Sequence, residues 1–294
     1  FFQLLPRQAS DIPCAVEFIP PGDTIDIPKE DTFDVVTWNI EWFGDENNSP
    51  VGQNPMSDAI QRDSTATVLK KLNADVYAVE EIADDALFAE LVNLLPGYDY
   101  ILSDAVSRPG SGGVSQKVGF IYNTETVSVV NTRALLKSIH PLYNGGDASA
   151  LVDYPSEASR FYASGRLPFL MTADVTINGV TERIDLVALH ARANSSRDPQ
   201  NRYDMRKYDV EVLKDSLGVH FANNKLILLG DYNDDVDETV ADISSTVSSF
   251  QEYVDDKTKY TIVSSALSEA GFRSFISRDN MIDHIAITNE LDDA

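Results

Sequence analysis

The sequence is short of what a cross-linked or membrane-embedded chain would need. It has one cysteine, Cys14, in 294 residues, which excludes an internal disulfide and any zinc site built on a cysteine cluster. No run approaches the roughly 18 apolar residues of a membrane helix, so no membrane span is expected. Bases are scarce: 23 Lys and Arg face 47 Asp and Glu, for a net charge of −24. Such a balance favours solubility, repels polyanions and suits a chain that recruits divalent cations. Internal repeats and low-complexity tracts are missing too. What is present is a hydrophobic fraction of 43%, ordinary for a globular protein and ample for a continuous core.

Residues 1–31 carry Pro6, Pro13, Pro20, Pro21, Gly22 and Pro28 with little periodicity and read as an N-terminal tail or linker. The chain opens on FFQLLPRQAS without an initiating Met, the mark of a processed or trimmed chain, and Cys14 reads as an incidental thiol in that tail. From Thr32 onward short apolar runs alternate with helical patterns. Candidate strands are 33–38, 75–82, 98–103, 117–123, 127–132, 168–177, 183–191, 225–232 and 281–288. Thr65, Val68, Leu69 and Leu72 share a helical face, as do Leu87, Phe88, Leu91 and Leu95; a third helix is predicted within 201–217. Some strands are apolar throughout while others alternate. That mixture predicts one α/β domain over 32–294, with two mixed β-sheets packed face to face and helices outside.

The polar residues carry the functional signal. VVTW leads to Asn39, VYAV to Glu80 and Glu81, LVAL to His190, and LILLG to Asp231 and Asn233, while Met281-Ile282 precedes Asp283-His284. Carboxylates at the mouths of apolar strands are costly unless compensated, and no Lys or Arg stands at these strand ends. Oxygen ligands converging without cations suit a hard divalent ion such as Mg²⁺, which needs only one or two carboxylates plus water. Taken singly, each residue has a bland reading: an Asp after a strand is usually a turn former or cap, and a lone His is usually structural.

In this order, TWNIEWFG (37–44), AVEEI (78–82), SGRLPF (164–169), VALHA (187–191), GDYND (230–234) and MIDHIAIT (281–288) resemble the endonuclease/exonuclease/phosphatase superfamily. The resemblance spans about residues 33–288 and implies that family's four-layered α/β sandwich. It implies that Glu81 binds a divalent metal, Mg²⁺ or Mn²⁺, with Asn39 beside it and Asp231 sharing the metal or orienting water. It further implies that His190 lies against the scissile phosphate, that Asn233 partners Asp231, that Asp283 sits near the catalytic histidines, and that Arg166 contacts phosphate. A guanidinium can hold two phosphate oxygens at once, and a histidine near neutrality is suited to proton work.

The sequence departs from the family in places. The family ends on a Ser-Asp-His strand; here the sequence stops at Ala294 soon after MIDHIAIT, so a missing final strand and impaired or absent turnover are expected of the chain as given. The deoxyribonuclease branch places an acid near Gln116 and a base at Glu41, and this chain has neither. Asp231, Asn233, Asp235 and Asp237 alternate like a calcium loop, but Val236 replaces its glycine and Asp242 its closing glutamate. An EF-hand is not expected, and a looser additional Ca²⁺ site at the surface stays open. RPGSGG (108–113) lacks the Lys-Ser/Thr of a phosphate loop and reads as a flexible loop beside the site; RYDMRKYD (202–209) reads as a solvated helix face. The leading expectation is a metal-dependent nuclease, extracellular or periplasmic, monomeric, acting on DNA or RNA. The alternatives are a phosphoesterase for lipid or small phosphorylated substrates and a non-catalytic member that binds metal or a partner.

Overall fold

Strand β2 (Val76–Ile82) shows how the layers arise. Successive side chains of a strand point to opposite faces, and here both faces are apolar: Val76 and Ala78 face one core, Tyr77 and Val79 another. The strand is therefore covered on both sides. The structure, a computed structural model, describes residues 27–49, 57–275 and 278–291. Cys14 and most of the expected tail lie outside the described residues.

One sheet has four strands in the order β1-β2-β4-β3, the other six in the order β5-β6-β7-β8-β10-β9. The first is built from β1 (Val35–Phe43), β2, β3 (Tyr98–Leu102) and β4 (Lys117–Asn123). The second comprises β5 (Val127–Ala134), β6 (Phe169–Ile177), β7 (Val180–His190), β8 (Leu226–Asp231), β9 (Tyr260–Ile262) and β10 (Asp283–Thr288). All the candidate strands of the sequence are present, and β9 is the one that three residues of YTI did not announce.

Between the sheets lie Val76, Ala78, Val118 and Phe120 from one and Met171, Ala173, Leu186, Ala188 and Leu229 from the other, with Phe120 stacked on Phe169. Outside the four-stranded sheet, α1 (Ser57–Leu72) contributes Ala66 and Leu69, and α2 (Asp85–Asn93) contributes Phe88 and Leu91. Asp84 caps α2 by accepting from the Ala86 and Leu87 amides at 2.8 and 3.0 Å. On the far side, α4 (Pro199–His220) buries Val210, Leu213 and Leu217 against Leu226, Leu228, Val187 and Leu189. Proline in its first turn is pre-set for helix. Two shorter helices, α5 (Gln251–Asp255) and α6 (Ser265–Glu269), and a tight turn, α3 (Phe161–Gly165), complete the described chain. The predicted four-layered α/β sandwich is therefore present.

The pairing directions set where chemistry can occur. Strands β1 and β2 run parallel, as do β7 and β8. Their C-terminal ends open on the same rim, carrying Asn39, Glu81, His190 and Asp231. Strand β10 runs antiparallel to β8 with Asp283 opposite Asp231. The sequence pattern placed Asp283 at the end of an apolar run; it opens β10 instead, and reaches the rim because its strand is reversed.

Gly230 is what lets β7 and β8 meet there. Its φ is +151°, and a Cβ on it would lie 1.9 Å from the Leu189 carbonyl oxygen, well inside any tolerable contact. Gly230→Ala is expected to destabilise the fold by about 2–3 kcal/mol through overpacking and backbone strain. Urea unfolding at equilibrium measures it, and a midpoint equal to wild type would contradict this reading.

Candidate active site

Backbone irregularities aim the first side chains. The β1–β2 register shifts between Asn39 and Phe43, and the β2–β4 register shifts between Glu80 and Ile82. Within these bulges Glu41, Trp42 and Glu81 take φ of 50°, 50° and 65°. Positive φ at a non-glycine residue is unfavourable and persists only where surroundings over-determine it. At Glu81 the bulge splits two consecutive glutamates. Glu80 is wholly buried, while Glu81 turns to the rim, where its Oε2 accepts from the Trp42 amide at 3.0 Å and the Gln116 Nε2 at 2.8 Å.

Asn39 joins the two sheets. Its Nδ2 donates to Glu81 Oε1 at 3.0 Å and to Asp231 Oδ2 at 2.9 Å, and its Oδ1 accepts from the Glu41 amide at 2.9 Å. In this arrangement Asn39 presents its amino group, not its oxygen, to the carboxylates. His190 Nε2 stands 3.7 Å from Glu81 Oε1 and 3.4 Å from Asp231 Oδ2. Asp231 Oδ1 accepts from the Asn233 amide at 2.8 Å, and Asn233 Nδ2 donates to the Ala191 carbonyl at 3.1 Å. Asn233 itself is left-handed, with φ of 52°, a conformation asparagine tolerates.

Arg166 follows a strained turn. Tyr162, Ala163, Ser164 and Gly165 have φ of 39°, 52°, 63° and 107°, and this left-handed run delivers the guanidinium to the rim. There it donates to the Gln116 Oε1 and, at 3.3–3.4 Å, to the His190 and Ala191 carbonyls. Gln116 thus bridges Arg166 to Glu81. Where the deoxyribonuclease branch is expected to hold an acid, this chain uses both ends of an amide.

Electrostatics follow from burial. Burial raises the Asp231 carboxyl well above its usual range, and Asp283 raises it further. Burial pushes Asp283 up to about 6. Glu80 is raised by burial and then by Asp283 and Asp231. Burial, then the charge of Arg166, keeps the His190 imidazole well below its ordinary value, hence neutral. Burial lowers Arg166 to about 10, still cationic at neutral pH. One guanidinium therefore faces a crowd of carboxyl groups, and Asp283 Oδ1 and Glu80 Oε2 are buried without a hydrogen-bond partner.

That excess fits a divalent cation. Glu81, His190 and Asp231 each offer one ligand atom, all within 4.8 Å of one another, and they are the metal-competent group found among the described residues. The two carboxylates are the hard oxygen donors that Mg²⁺ or Mn²⁺ takes, with the neutral His190 imidazole beside them.

Of the residues singled out in the sequence, Asn39, Glu81, Arg166, His190, Asp231, Asn233 and Asp283 all lie on this rim. The loop acids do not form a calcium bowl. Asp234 is fully buried and accepts from Thr239, Val240, Ser249 and Arg206. Asp235 turns inward, accepting from the Ser268 hydroxyl and the Met281 amide. Ser264 Oγ lies 2.9 Å from His284 Nδ1, and His284 Nε2 lies 3.5 Å from Asp235 Oδ1. This Ser-His-Asp array is buried and ties β10 to the loop after β8.

Sequence reasoning missed one feature of the site's support. The segment 202–209 is no solvated face: Arg206 is fully buried, bonding Ser249, the Arg192 carbonyl and Asn194, and pairing with Asp234 at 3.0 Å. Asn194 in turn donates to the Asn233 carbonyl at 2.8 Å. The signal available was the Met205–Leu213 apolar stripe, which already turned this helix's inner face inward at Arg206.

The chain belongs to the Endonuclease/Exonuclease/phosphatase family, whose model matches residues 36–285. It is thus a phosphoesterase of a superfamily that depends on divalent metal. No curated protein sequence matches it significantly. Among solved structures it is similar to the human nocturnin catalytic domain with bound sulfate, at 12% identity and a TM-score of 0.53, covering 86% of this chain and 80% of that one. An endonuclease/exonuclease/phosphatase family protein of Bacteroides thetaiotaomicron aligns at 16% identity and 0.54, covering 86% and 82%. The mannosyl-6-phosphatase of the same organism aligns at 15% and 0.52, covering 86% and 84%. At these identities the likeness concerns the fold.

The charge crowd has a consequence for stability. Asp283, Asp231 and Glu80 are acids with raised folded values, so from the unfolded value near 4 upward through the value of about 6 for Asp283 the folded state binds more protons than the unfolded state. Their contribution to stability is therefore lost as pH rises through that window. The metal-free protein is expected to melt at a lower temperature at pH 7.5 than at pH 5.5, and millimolar Mg²⁺ or Mn²⁺ should restore the difference. Scanning calorimetry decides; a flat profile unaffected by metal would contradict it.

Proposed function

We propose that this chain is a divalent-metal-dependent nuclease that hydrolyses phosphodiester bonds of DNA or RNA by in-line attack of water. The observation that carries the reading is the convergence, on one rim, of Glu81, Asp231 and His190 with a single fixed guanidinium, Arg166. A bound divalent cation would supply positive charge to the non-bridging phosphate oxygens. Arg166, clamped by Gln116 and two carbonyls, supplies a second, oriented charge for the same oxygens. Asp231 and Asn233 orient the attacking water, and the Asp231 carboxylate at the rim is placed to take its proton. His190, neutral and fixed between the carboxylates, lies against the phosphate and steadies the developing charge by donating from Nε2. As water attacks phosphorus, the bond to the opposite ester oxygen breaks and the alkoxide leaves.

The choice of a nucleic acid rests on SGRLPF and NIEWFG, whose likeness is to the nuclease branch. The chain's acidity and the mannosyl-6-phosphatase likeness favour the second reading, a phosphoesterase for small or lipid phosphates. Release from the cell, into an extracellular or periplasmic space, and a monomeric state belong to the same proposal. Plasmid DNA and RNA, assayed with Mg²⁺ or Mn²⁺ beside sphingomyelin and inositol phosphates, separate the readings. Strand cleavage is expected; turnover of only the small or lipid substrates would overturn the nuclease assignment.

Two substitutions test the roles. Glu81→Gln should shift the metal concentration for half-maximal rate upward by roughly tenfold or more. His190→Ala should lower kcat by about 10²–10³ with the melting temperature within a few degrees of wild type. A His190→Ala enzyme at wild-type rate removes that residue from the mechanism.

A further inference from the structure

In so acidic a chain, the place where bases gather is informative. Several arginines elsewhere are answered: Arg62 pairs with Asp63 and Glu90, Arg183 with Asp174, Arg273 with Asp279, and Arg206 with Asp234. Arg108, Arg160 and Arg202 form no ion pair with a carboxylate among the described residues. They come from three separate segments and stand together beside the reaction centre.

The geometry links each of them to the rim. Arg192 lies two residues beyond His190, is buried, and donates from its guanidinium to the Arg160 carbonyl. Its Nε has no hydrogen-bond partner, and Asp209 Oδ2 stands off at 3.9 Å. Arg108 belongs to the loop that positions Gln116: the Ser107 amide donates to the Gln116 carbonyl at 3.0 Å, and the Gln116 amide to Ser107 Oγ at 2.9 Å. The Arg108 amide donates to the Ser164 carbonyl at 2.8 Å, and Pro109 packs so closely on Gly165 that a Cβ there would meet it at 2.9 Å. The RPGSGG loop is thus fastened to the turn that delivers Arg166. Arg202 sits in the first turn of α4, half-buried, and Arg160 is half-buried beside Ser156. Burial and the charges of Arg192, Arg160 and Arg108 together depress Arg202, with Asp198 the acid that opposes them. Like charges so arranged repel one another, and an anion between them removes that repulsion.

We propose that Arg108, Arg160, Arg192 and Arg202 form an anion subsite flanking the reaction centre, one that takes a second phosphate of the substrate beyond the one held by Arg166. For a nucleic acid this is the neighbouring phosphate of the strand, and in that form it rests on the nuclease reading. For a small molecule it is a second phosphomonoester. The shared chemistry is a phosphate fixed at a set spacing from the scissile one, recognised by guanidinium forks. The subsite explains how a chain of such acidity can hold a polyanion: the repulsive surface is interrupted at the one place where the substrate must lie.

The test is equilibrium binding by calorimetry without added divalent metal, so that nothing is cleaved. Ligands are the thymidine dinucleotide with one phosphate against the trinucleotide with two, and glucose 6-phosphate against glucose 1,6-bisphosphate. Wild type is expected to bind the two-phosphate member of at least one pair roughly ten- to hundredfold more tightly. Arg108→Gln and Arg202→Gln, at exposed and half-buried positions, should together collapse that ratio below about threefold. For the nucleotide pair they should also reduce the slope of log affinity against log salt by about 0.7 for each phosphate no longer neutralised. Arg183→Gln, on the far run of β7, should leave the ratio alone. A second-phosphate preference seen only with the sugar pair upholds the subsite and overturns the nuclease reading. No preference in wild type, or a preference retained by the double variant, overturns the subsite whatever the enzyme cleaves.

Discussion

Carboxylates crowded at the end of two apolar sheets must be balanced, and most of this molecule's functional geometry follows from how. Glu80, Glu81, Asp231 and Asp283 meet where water is largely excluded, with a neutral His190 and one guanidinium for company. Protons, a divalent cation or both make up the deficit. The fold does not relieve the crowding. Parallel pairing of β1 with β2 and of β7 with β8 creates it, by bringing four strand ends to one rim. A site whose acids are kept apart would be more stable and would hold no ion.

The rim is steadied by a second, buried network. Arg206 and Asp234 are both wholly excluded from solvent, and their pair is braced by Ser249, Thr239, Asn194 and backbone groups. A buried ion pair adds little net stability, since desolvation offsets attraction, but it fixes geometry. Here it pins the loop after β8 to α4 and, through Asn194, holds the backbone of Asn233. The sealed Ser264–His284–Asp235 array secures the other flank by binding β10 to the same loop.

Much of this was legible in the residues. Strand after strand could be read because buried strands are continuous apolar runs, and the rim residues could be read because each stands at an abrupt change from apolar to polar. Asp283 was found for a partly mistaken reason, since it opens its strand; only the pairing register reveals that reversal. Burial of Arg206 was missed because a charged residue on a mixed helix looks solvated until its partner, Asp234, is known to lie opposite. The gathering of Arg108, Arg160, Arg192 and Arg202 was invisible for the same reason: their proximity is made by loops, which carry no periodicity. The left-handed run at 162–164 left no trace either, because Tyr, Ala and Ser do not advertise positive φ.

Asn39 is a small residue with an unusual station. One amino group touches Glu81 from the four-stranded sheet and Asp231 from the six-stranded sheet. Beneath the rim the two layers meet through apolar side chains such as Phe120 and Phe169, which permit sliding. The amide therefore acts as a caliper across the sandwich: any change in inter-layer spacing, even one made deep among the aromatic rings, arrives at the carboxylates as a change in their separation.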